Sequence, residues 1–195
     1  TIKEVGPENV GFVRIEAGTN LIGGQPVSLE NMCAVADICH RYQIPSVLDA
    51  SLLQDNIYFM KKREAQCKYM QPKEIYHLLA DKMDIIYFSA RKLGFARGGA
   101  ILSHNIDVIK SMMEYIPLYE GFLTYGGIDV RSIEAMAEGL YESLDMEYLA
   151  HGWMTTECPL SSLREDWELI STARPSCPIC LTTNILREPY APLSI

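Results

Sequence analysis

Residues 84–89, DIIYFS, form a nearly continuous apolar run, followed by the polar turn ARK and by GGAILS at 98–103. A short apolar run of this kind predicts a strand buried on both faces of a sheet, and GGAILS predicts the next strand. The pair Gly98–Gly99 indicates a close backbone approach beside the intervening loop. The pattern therefore places Lys92 just beyond the carboxyl end of a buried strand.

Strands and helices alternate on both sides of this segment. The predicted strands are 10–16, 44–49, 84–89 and 98–103, and the predicted helices are 28–42, 52–64, 72–83, 106–116 and 130–151. Ser28 suits a helix N-cap and Pro72 suits a first helical turn. The alternation predicts an α/β domain around a largely parallel sheet over residues 1–151. Ligands gather at the carboxyl ends of such strands, where we expect Asp49, Ser89 and Lys92 to share one crevice.

Composition narrows the class of protein. The 195 residues include 17 Lys and Arg against 25 Asp and Glu, a net charge of −8, and 48% are hydrophobic. This balance favours a packed core and makes nucleic acid an improbable partner. No apolar run is long enough to span a bilayer, so we expect a soluble, cytoplasmic protein that binds no membrane.

The six cysteines and four histidines show no metal-site spacing. Cys33, Cys39 and Cys67 lie in apolar helical stretches, which predicts buried free thiols. The pair Cys177 and Cys180 is half of a zinc site at best, and no second half follows, so no metal is predicted. The histidines are expected on surfaces or helices.

The polar residues at the strand ends supply the parts of a pyridoxal phosphate site. A lysine in a partly dry cleft can form a Schiff base with an aldehyde. An aspartate at a neighbouring strand end could hold a pyridinium nitrogen, an asparagine could bind a ring phenolate and a serine could contact a phosphate. The same residues equally suit a surface lysine, a capping aspartate and a turn asparagine.

Four longer blocks carry a more specific signal: NLIGGQPVSLENM (20–32), LDASLLQDNIYFMKKRE (48–64), SARKLGFARGGAIL (89–102) and YEGFLTYGGIDVRSIEAMAEGL (119–140). In order and spacing, these blocks resemble the aromatic amino acid β-eliminating lyases, the family of tryptophanase and tyrosine phenol-lyase. They cover most of residues 1–151. The resemblance implies fold type I of the pyridoxal phosphate enzymes, here an incomplete three-layer α/β/α large domain.

The resemblance also implies a role for each matching residue. Lys92 would be the Schiff-base lysine and would move the proton at the substrate α-carbon. Asp49 would pair with the pyridine nitrogen, Asn20 would bind the ring 3-hydroxyl and Ser89 would contact the phosphate. Arg91 takes the place of a basic residue beside the lysine.

The sequence departs from the family pattern at two places near this site. Leu52 stands where the well-known lyases have an arginine near the cofactor, so a polar contact is lost or supplied elsewhere. The loop after Lys92 is one residue shorter than theirs, which puts a monovalent cation site near Arg97 in doubt. These changes suggest a side branch with another substrate. Tyr125 could stack on a substrate or simply pack.

The implied activity is β-elimination from an amino acid, giving pyruvate and ammonia. The alternatives are a threonine-aldolase-like or carbon–sulfur lyase of the same fold, and an inactive remnant. The family forms homodimers and homotetramers, which we expect of a full-length parent. Its amino-terminal phosphate loop and its small carboxyl-terminal domain have no counterpart here, so a fragment is expected.

The segment 152–195 lacks clear periodicity and is rich in proline. We expect it to be translated one base out of frame after about His151. A shifted reading across Arg164 to Thr172 permits a Gly-Gly…His…Asp stretch that resembles the family's small domain. The alternative is a genuine divergent extension.

Overall fold

The computed structural model describes residues 1–19, 23–123 and 127–155. Four strands and eight α-helices are described there. The strands are β1 (Val13–Glu16), β2 (Ser46–Asp49), β3 (Ile85–Ser89) and β4 (Gly99–Ser103). The helices are α1 (Ile2–Val5), α2 (Leu29–Arg41), α3 (Leu53–Arg63), α4 (Pro72–Lys82), α5 (Ile106–Met113), α6 (Ile116–Tyr119), α7 (Val130–Glu142) and α8 (Met146–Thr155). Within these described ranges, no helix is long and apolar enough to cross a membrane.

The strands form one mixed sheet in the order β1-β2-β3-β4. β1 pairs with β2 and β2 pairs with β3 in parallel, so the predicted α/β architecture is confirmed. Glu16 lies opposite Asp49, and Asp49 lies opposite Tyr87. This register brings the carboxyl ends of three strands to one edge of the sheet.

β4 runs antiparallel to β3, so the sheet is largely but not wholly parallel. Ser89 pairs with Gly99, and the connection between them spans only residues 90–98. A parallel return needs a crossover of about a dozen residues or more, so a connection this short must make a hairpin.

Two helix starts follow the predicted chemistry. The Ser28 hydroxyl accepts a hydrogen bond from the Asn31 N–H at 3.1 Å, which caps α2. Pro72 occupies the first turn of α4, and the Glu74 carboxylate accepts from the Gln71 N–H at 2.6 Å. Both caps satisfy amides that an α-helix leaves without internal partners.

The helix predicted over 130–151 is broken into α7 and α8. The Ser143 hydroxyl bonds back to the Leu140 carbonyl, and the Asp145 carboxylate accepts from the Glu147 N–H at 2.8 Å. Side chains that bond to the nearby backbone in this way end one helix and start the next. α1 and the short 3₁₀ turn at Pro7–Asn9 were not predicted.

The two faces of the sheet differ in chemistry. The helix face packs into the main apolar core beneath α2, α3 and α4 and carries Ile15, Leu48, Ile86 and Phe88. The opposite face, called the polar face, carries Arg14, Glu16, Asp49 and Tyr87 beside the apolar Val47 and Ile85, because side chains alternate along a strand. β3 is only half-buried over most of its length, so the expectation that both of its faces are buried is wrong for this chain.

Candidate functional site

Asp49 and Ser89 lie at the carboxyl ends of the neighbouring strands β2 and β3, as the sequence predicted. Backbone pairing continues past the end of β2, since the Ala50 N–H donates to the Tyr87 carbonyl at 2.8 Å. The Ser51 hydroxyl then accepts from the Ser89 N–H at 3.0 Å. The two strand ends are therefore fixed to each other.

The Asp49 carboxylate is buried, with 5% of the residue exposed, and each of its oxygens accepts a hydrogen bond from the protein. Its Oδ1 accepts from the Ser51 N–H at 3.0 Å. Its Oδ2 accepts from the Tyr87 hydroxyl at 2.8 Å and lies 3.5 Å from Arg14 Nη1. The carboxylate is thus held in one orientation by neighbours on two other strands.

Arg14 links this carboxylate to a second one. Its Nη1 donates to the Tyr87 hydroxyl oxygen at 2.9 Å, and its Nη2 lies 3.4 Å from Glu16 Oε2. The hydrogen bond to Tyr87 raises the pKa of Arg14 despite partial burial. Burial raises the pKa of Tyr87, the Asp49 carboxylate raises it further, and the Arg14 guanidinium opposes both. Tyr87 therefore stays protonated and able to donate at neutral pH.

Sequence reasoning missed Arg14, Glu16 and Tyr87. The signal was present, because the two charges in the stretch VRIE are spaced two residues apart and must share one face of a strand. Their partner Tyr87 is 73 residues from Arg14 along the chain and could be found only from the register of the sheet.

Lys92 lies in the tight loop between β3 and β4. Its N–H donates to the Ser89 carbonyl at 3.1 Å, and the loop closes where the Ala90 N–H donates to the Gly98 carbonyl at 3.0 Å. Lys92 and its neighbour Arg91 are exposed. Three residues of chain separate Lys92 from Ser89, so the lysine backbone lies within about 11 Å of that strand end.

Gln54 on α3 anchors the lysine loop from the side. Its Nε2 donates to the Leu93 carbonyl at 3.2 Å. Its Oε1 is buried and has no hydrogen-bond partner among the described residues. A buried acceptor left open next to Lys92 marks a place where a donor from a bound molecule can be satisfied.

Asn20 lies outside the described residues, as does Tyr125. The loop that leads away from Asn20 is held by Asn56 on α3, whose side chain is buried. Asn56 donates to the Val27 carbonyl at 2.8 Å and accepts from the Val27 N–H at 2.7 Å. Sequence analysis did not single out Asn56, because nothing local shows that its partner is 29 residues away.

Leu52, which stands at the family's arginine position, packs toward the start of the same loop. A Cβ on Gly18 would meet the Leu52 Cβ at 3.0 Å, so the two residues are in close contact. A guanidinium nevertheless reaches Asp49, from Arg14 on β1.

The expected close approach at Gly98–Gly99 is confirmed. A Cβ on Gly99 would lie 2.0 Å from the Phe88 carbonyl oxygen, and one on Gly98 would lie 2.8 Å from Ile128 Cδ1. Only glycine fits both positions, and the lysine loop depends on them.

Cys39 and Cys67 are buried free thiols as predicted, and Cys33 is half-buried. His40, His77 and His104 are exposed. Within the part of the chain that is described, no group of three or more metal-ligating side chains is present. The CPIC pair lies outside the described residues. Of the segment expected to be out of frame, only the end of α8, up to Thr155, is described. The domain boundary at 151 therefore stays a prediction.

Comparisons with known proteins agree with this geometry. A family model described as beta-eliminating lyase matches residues 1–166. The chain is 38% identical over 151 residues to a tyrosine phenol-lyase of Fusobacterium nucleatum and 35% identical over 154 residues to a tryptophanase of Escherichia coli O9:H4. Each match covers 77% of this chain and 33% of the relative, so the chain spans a third of the length of these curated relatives.

A solved structure from Listeria monocytogenes EGD-E, described as a candidate L-allo-threonine aldolase, has the same fold. Its TM-score is 0.52 at 24% identity, and the match covers 72% of this chain and 34% of that one. The chain is thus an incomplete α/β domain of the fold-type-I class. It belongs to the β-eliminating lyase family.

Enzymes of this family depend on pyridoxal 5'-phosphate. The residues at the carboxyl edge of the sheet fit that group. Among the described residues, Asp49 Oδ1 accepts one hydrogen bond, from the Ser51 N–H, and a carboxylate oxygen can accept two, which suits a pyridinium N–H. Ser89 ends the adjacent strand, and Lys92 lies in the loop that follows it.

Proposed function

We propose that this chain is the pyridoxal phosphate-binding part of a lyase that acts on an amino acid by β-elimination. The single observation that carries the proposal is the meeting of Asp49, Ser89 and Lys92 at one edge of the sheet. A buried carboxylate, a hydroxyl and a lysine at strand ends are the groups that this chemistry requires. Membership in the β-eliminating lyase family supports the proposal.

Each residue has a proposed task toward the cofactor. Asp49 holds the pyridine nitrogen, with its charge kept in place by Tyr87 and Ser51. Ser89 contacts the phosphate through its hydroxyl, and Arg91 adds positive charge beside it. Asn20 binds the ring 3-hydroxyl from the loop that Asn56 anchors.

The bound cofactor supplies an electron sink for the carbanion formed at the substrate α-carbon. The Lys92 amine would hold the cofactor and would take the α-proton of the substrate as a general base. Asp49 would keep the electron sink effective by holding a proton on the pyridine nitrogen. The net reaction would convert the amino acid and one water into the protonated β-substituent, pyruvate and ammonia.

The cofactor test is covalent capture on a named lysine. The chain is incubated with pyridoxal phosphate, reduced with borohydride and digested, and the labelled peptide is identified by mass spectrometry. We expect the label on Lys92 and its loss in Lys92→Arg. The matched control is Lys110→Arg, an exposed lysine on α5, which should be labelled as the native chain is. Absence of label, or label spread over other lysines, would overturn the proposal.

The reaction is tested on the same chain with a panel of β-substituted amino acids. Pyruvate release supports β-elimination. Glycine and an aldehyde from β-hydroxy amino acids would instead indicate an aldolase. Captured cofactor without either product would show a binding fragment that lacks the rest of the active site. The matched segment is a third of the length of the family relatives, which would supply the remainder, in part through homodimers or homotetramers.

A further inference from the structure

Four side chains on the polar face form one continuous chain of hydrogen bonds and ion pairs across three strands. Glu16 contacts Arg14, Arg14 donates to the Tyr87 oxygen, and Tyr87 donates to Asp49 Oδ2. Arg14 also lies 3.5 Å from the same Asp49 oxygen. The chain ends on Asp49, whose other oxygen, Oδ1, accepts one hydrogen bond from the Ser51 N–H.

We infer that Tyr87 is a positioning residue that, backed by Arg14, aims the Asp49 carboxylate at the pyridine nitrogen of the cofactor. The inference rests on the proposed function. An aspartate carboxylate rotates broadly about its last torsion angle, so direction must come from its partners. Tyr87 and the Ser51 N–H each hold one oxygen, and together they fix the plane of the carboxylate.

Other side chains of this fold form hydrogen bonds with a purely structural role, which differ from those of Tyr87. Asn56 bonds the backbone of Val27, and Glu64 caps α2 by accepting from the Leu29 N–H. Both satisfy backbone groups that folding would otherwise leave unpaired. Within the described part of the chain, the Tyr87 hydroxyl bonds the two charged side chains Arg14 and Asp49 and no backbone group, so its contribution is the placement of a carboxylate.

The ion pairs also set the charge of the site. The Arg14 guanidinium lies between Glu16 and Asp49, and it balances one of these two carboxylates. A buried carboxylate needs both a countercharge and hydrogen bonds, and Asp49 has Arg14 as the first and Ser51 and Tyr87 as the second. An ionised, oriented carboxylate is what keeps a pyridine nitrogen protonated.

The test is equilibrium binding of pyridoxal phosphate to Tyr87→Phe, which removes one oxygen atom and keeps the ring. We expect affinity about fivefold to tenfold weaker, as for loss of one ordinary hydrogen bond. The matched control is Tyr141→Phe, an exposed tyrosine on α7 at 78% exposure, which should bind as the native chain does. The ¹⁵N resonance of pyridine-labelled cofactor should move toward the unprotonated position only in Tyr87→Phe.

A second background separates positioning from a general structural effect. If Tyr87 acts through Asp49, then Tyr87→Phe should change cofactor affinity little once Asp49→Asn is already present. An equal loss in both backgrounds would overturn the inference, as would native affinity and an unmoved ¹⁵N resonance in Tyr87→Phe. Arg14→Gln removes the guanidinium that donates to the Tyr87 hydroxyl oxygen. It should also weaken the binding of pyridoxal phosphate, by a smaller factor than Tyr87→Phe.

The outcomes for the inference and for the proposed function differ. If the native chain does not bind pyridoxal phosphate, the proposed function fails and the inference falls with it. If the native chain binds and Tyr87→Phe binds equally well, only the inference fails.

Discussion

The two faces of the central sheet obey different rules. The helix face is apolar, lies in the core and is covered by helices that follow the strands in the chain. On the polar face, an arginine, two carboxylates and a tyrosine bond one another instead of packing. Two adjacent residues of β2 lie on opposite faces: Leu48 is fully buried in the core, and Asp49 is the last member of the polar chain.

This difference shows how the fold separates stability from chemistry. Apolar burial on the helix face contributes most of the folding energy, since each fully buried large side chain adds about 1.5–3 kcal/mol. The charged chain on the polar face contributes less, because desolvation offsets much of the attraction between its members. The main effect of Arg14, Glu16 and Tyr87 is therefore on the orientation and the charge environment of Asp49 rather than on stability.

The largest expected effect contrasts Leu48→Ala with its neighbour Asp49→Asn. Leu48→Ala should lower the free energy of unfolding by about 2–5 kcal/mol, because it opens a cavity in the core. Asp49→Asn should cost only about 1 kcal/mol, since an amide can still bond Ser51 and Tyr87. Urea denaturation followed by circular dichroism measures both. Equal losses would break the contrast between the faces.

Asn56→Ala should give the next largest effect. It leaves the N–H and carbonyl of Val27 without their partner, which should cost about 2 kcal/mol of unfolding free energy. The loop that leads to Asn20 should also exchange its amide hydrogens faster, which hydrogen-exchange mass spectrometry measures. The control is Asn31→Ala on the exposed side of α2, where little change is expected. Unchanged exchange in Asn56→Ala would show that the loop is held by other contacts.

A smaller effect on the free energy of unfolding is expected at alkaline pH, from the buried Tyr76. Burial raises the pKa of Tyr76, on the helical side of the core, to about 12. The unfolded chain ionises near pH 10, so stability that is present below pH 10 is lost as the pH rises toward 12, by about 2 kcal/mol. Tyr76→Phe should lose less stability over this window.

Urea denaturation at pH 9 and pH 11.5 checks the alkaline prediction. Tyr87 is present in both proteins, so its own titration cancels from the comparison. A native chain and a Tyr76→Phe variant with parallel pH dependence would show that Tyr76 does not contribute.

Local sequence patterns predicted much of the fold. The positions of all four strands, the cap at Ser28 and the proline turn at Pro72 depend on residues near one another in the chain, and the structure has them. The direction of β4 was not predicted, although the short connection from Ser89 to Gly99 already required a hairpin. The break between α7 and α8 was missed because Ser143 and Asp145 compete with the helix through bonds to the backbone.

The candidate site was predicted only in part, for a related reason. Asp49, Ser89 and Lys92 each follow a recognisable strand, so their shared edge could be expected. Arg14 and Tyr87 join the site through sheet register and long side chains, which no short segment reveals. The roles of Asn20, Asp49, Ser89, Arg91 and Lys92 stay predictions until the cofactor is captured.

The hairpin that carries Lys92 also differs from the rest of the site in how it can assemble. Its closing bond joins Ala90 to Gly98, whereas Tyr87 must find Asp49 across 38 residues of chain. Contacts of low sequence separation form in microseconds, and distant parallel pairing is slow. We therefore expect the lysine loop to form early in folding. The pairing of β2 with β3 should follow, and it brings Asp49 to the edge of the sheet where this loop lies.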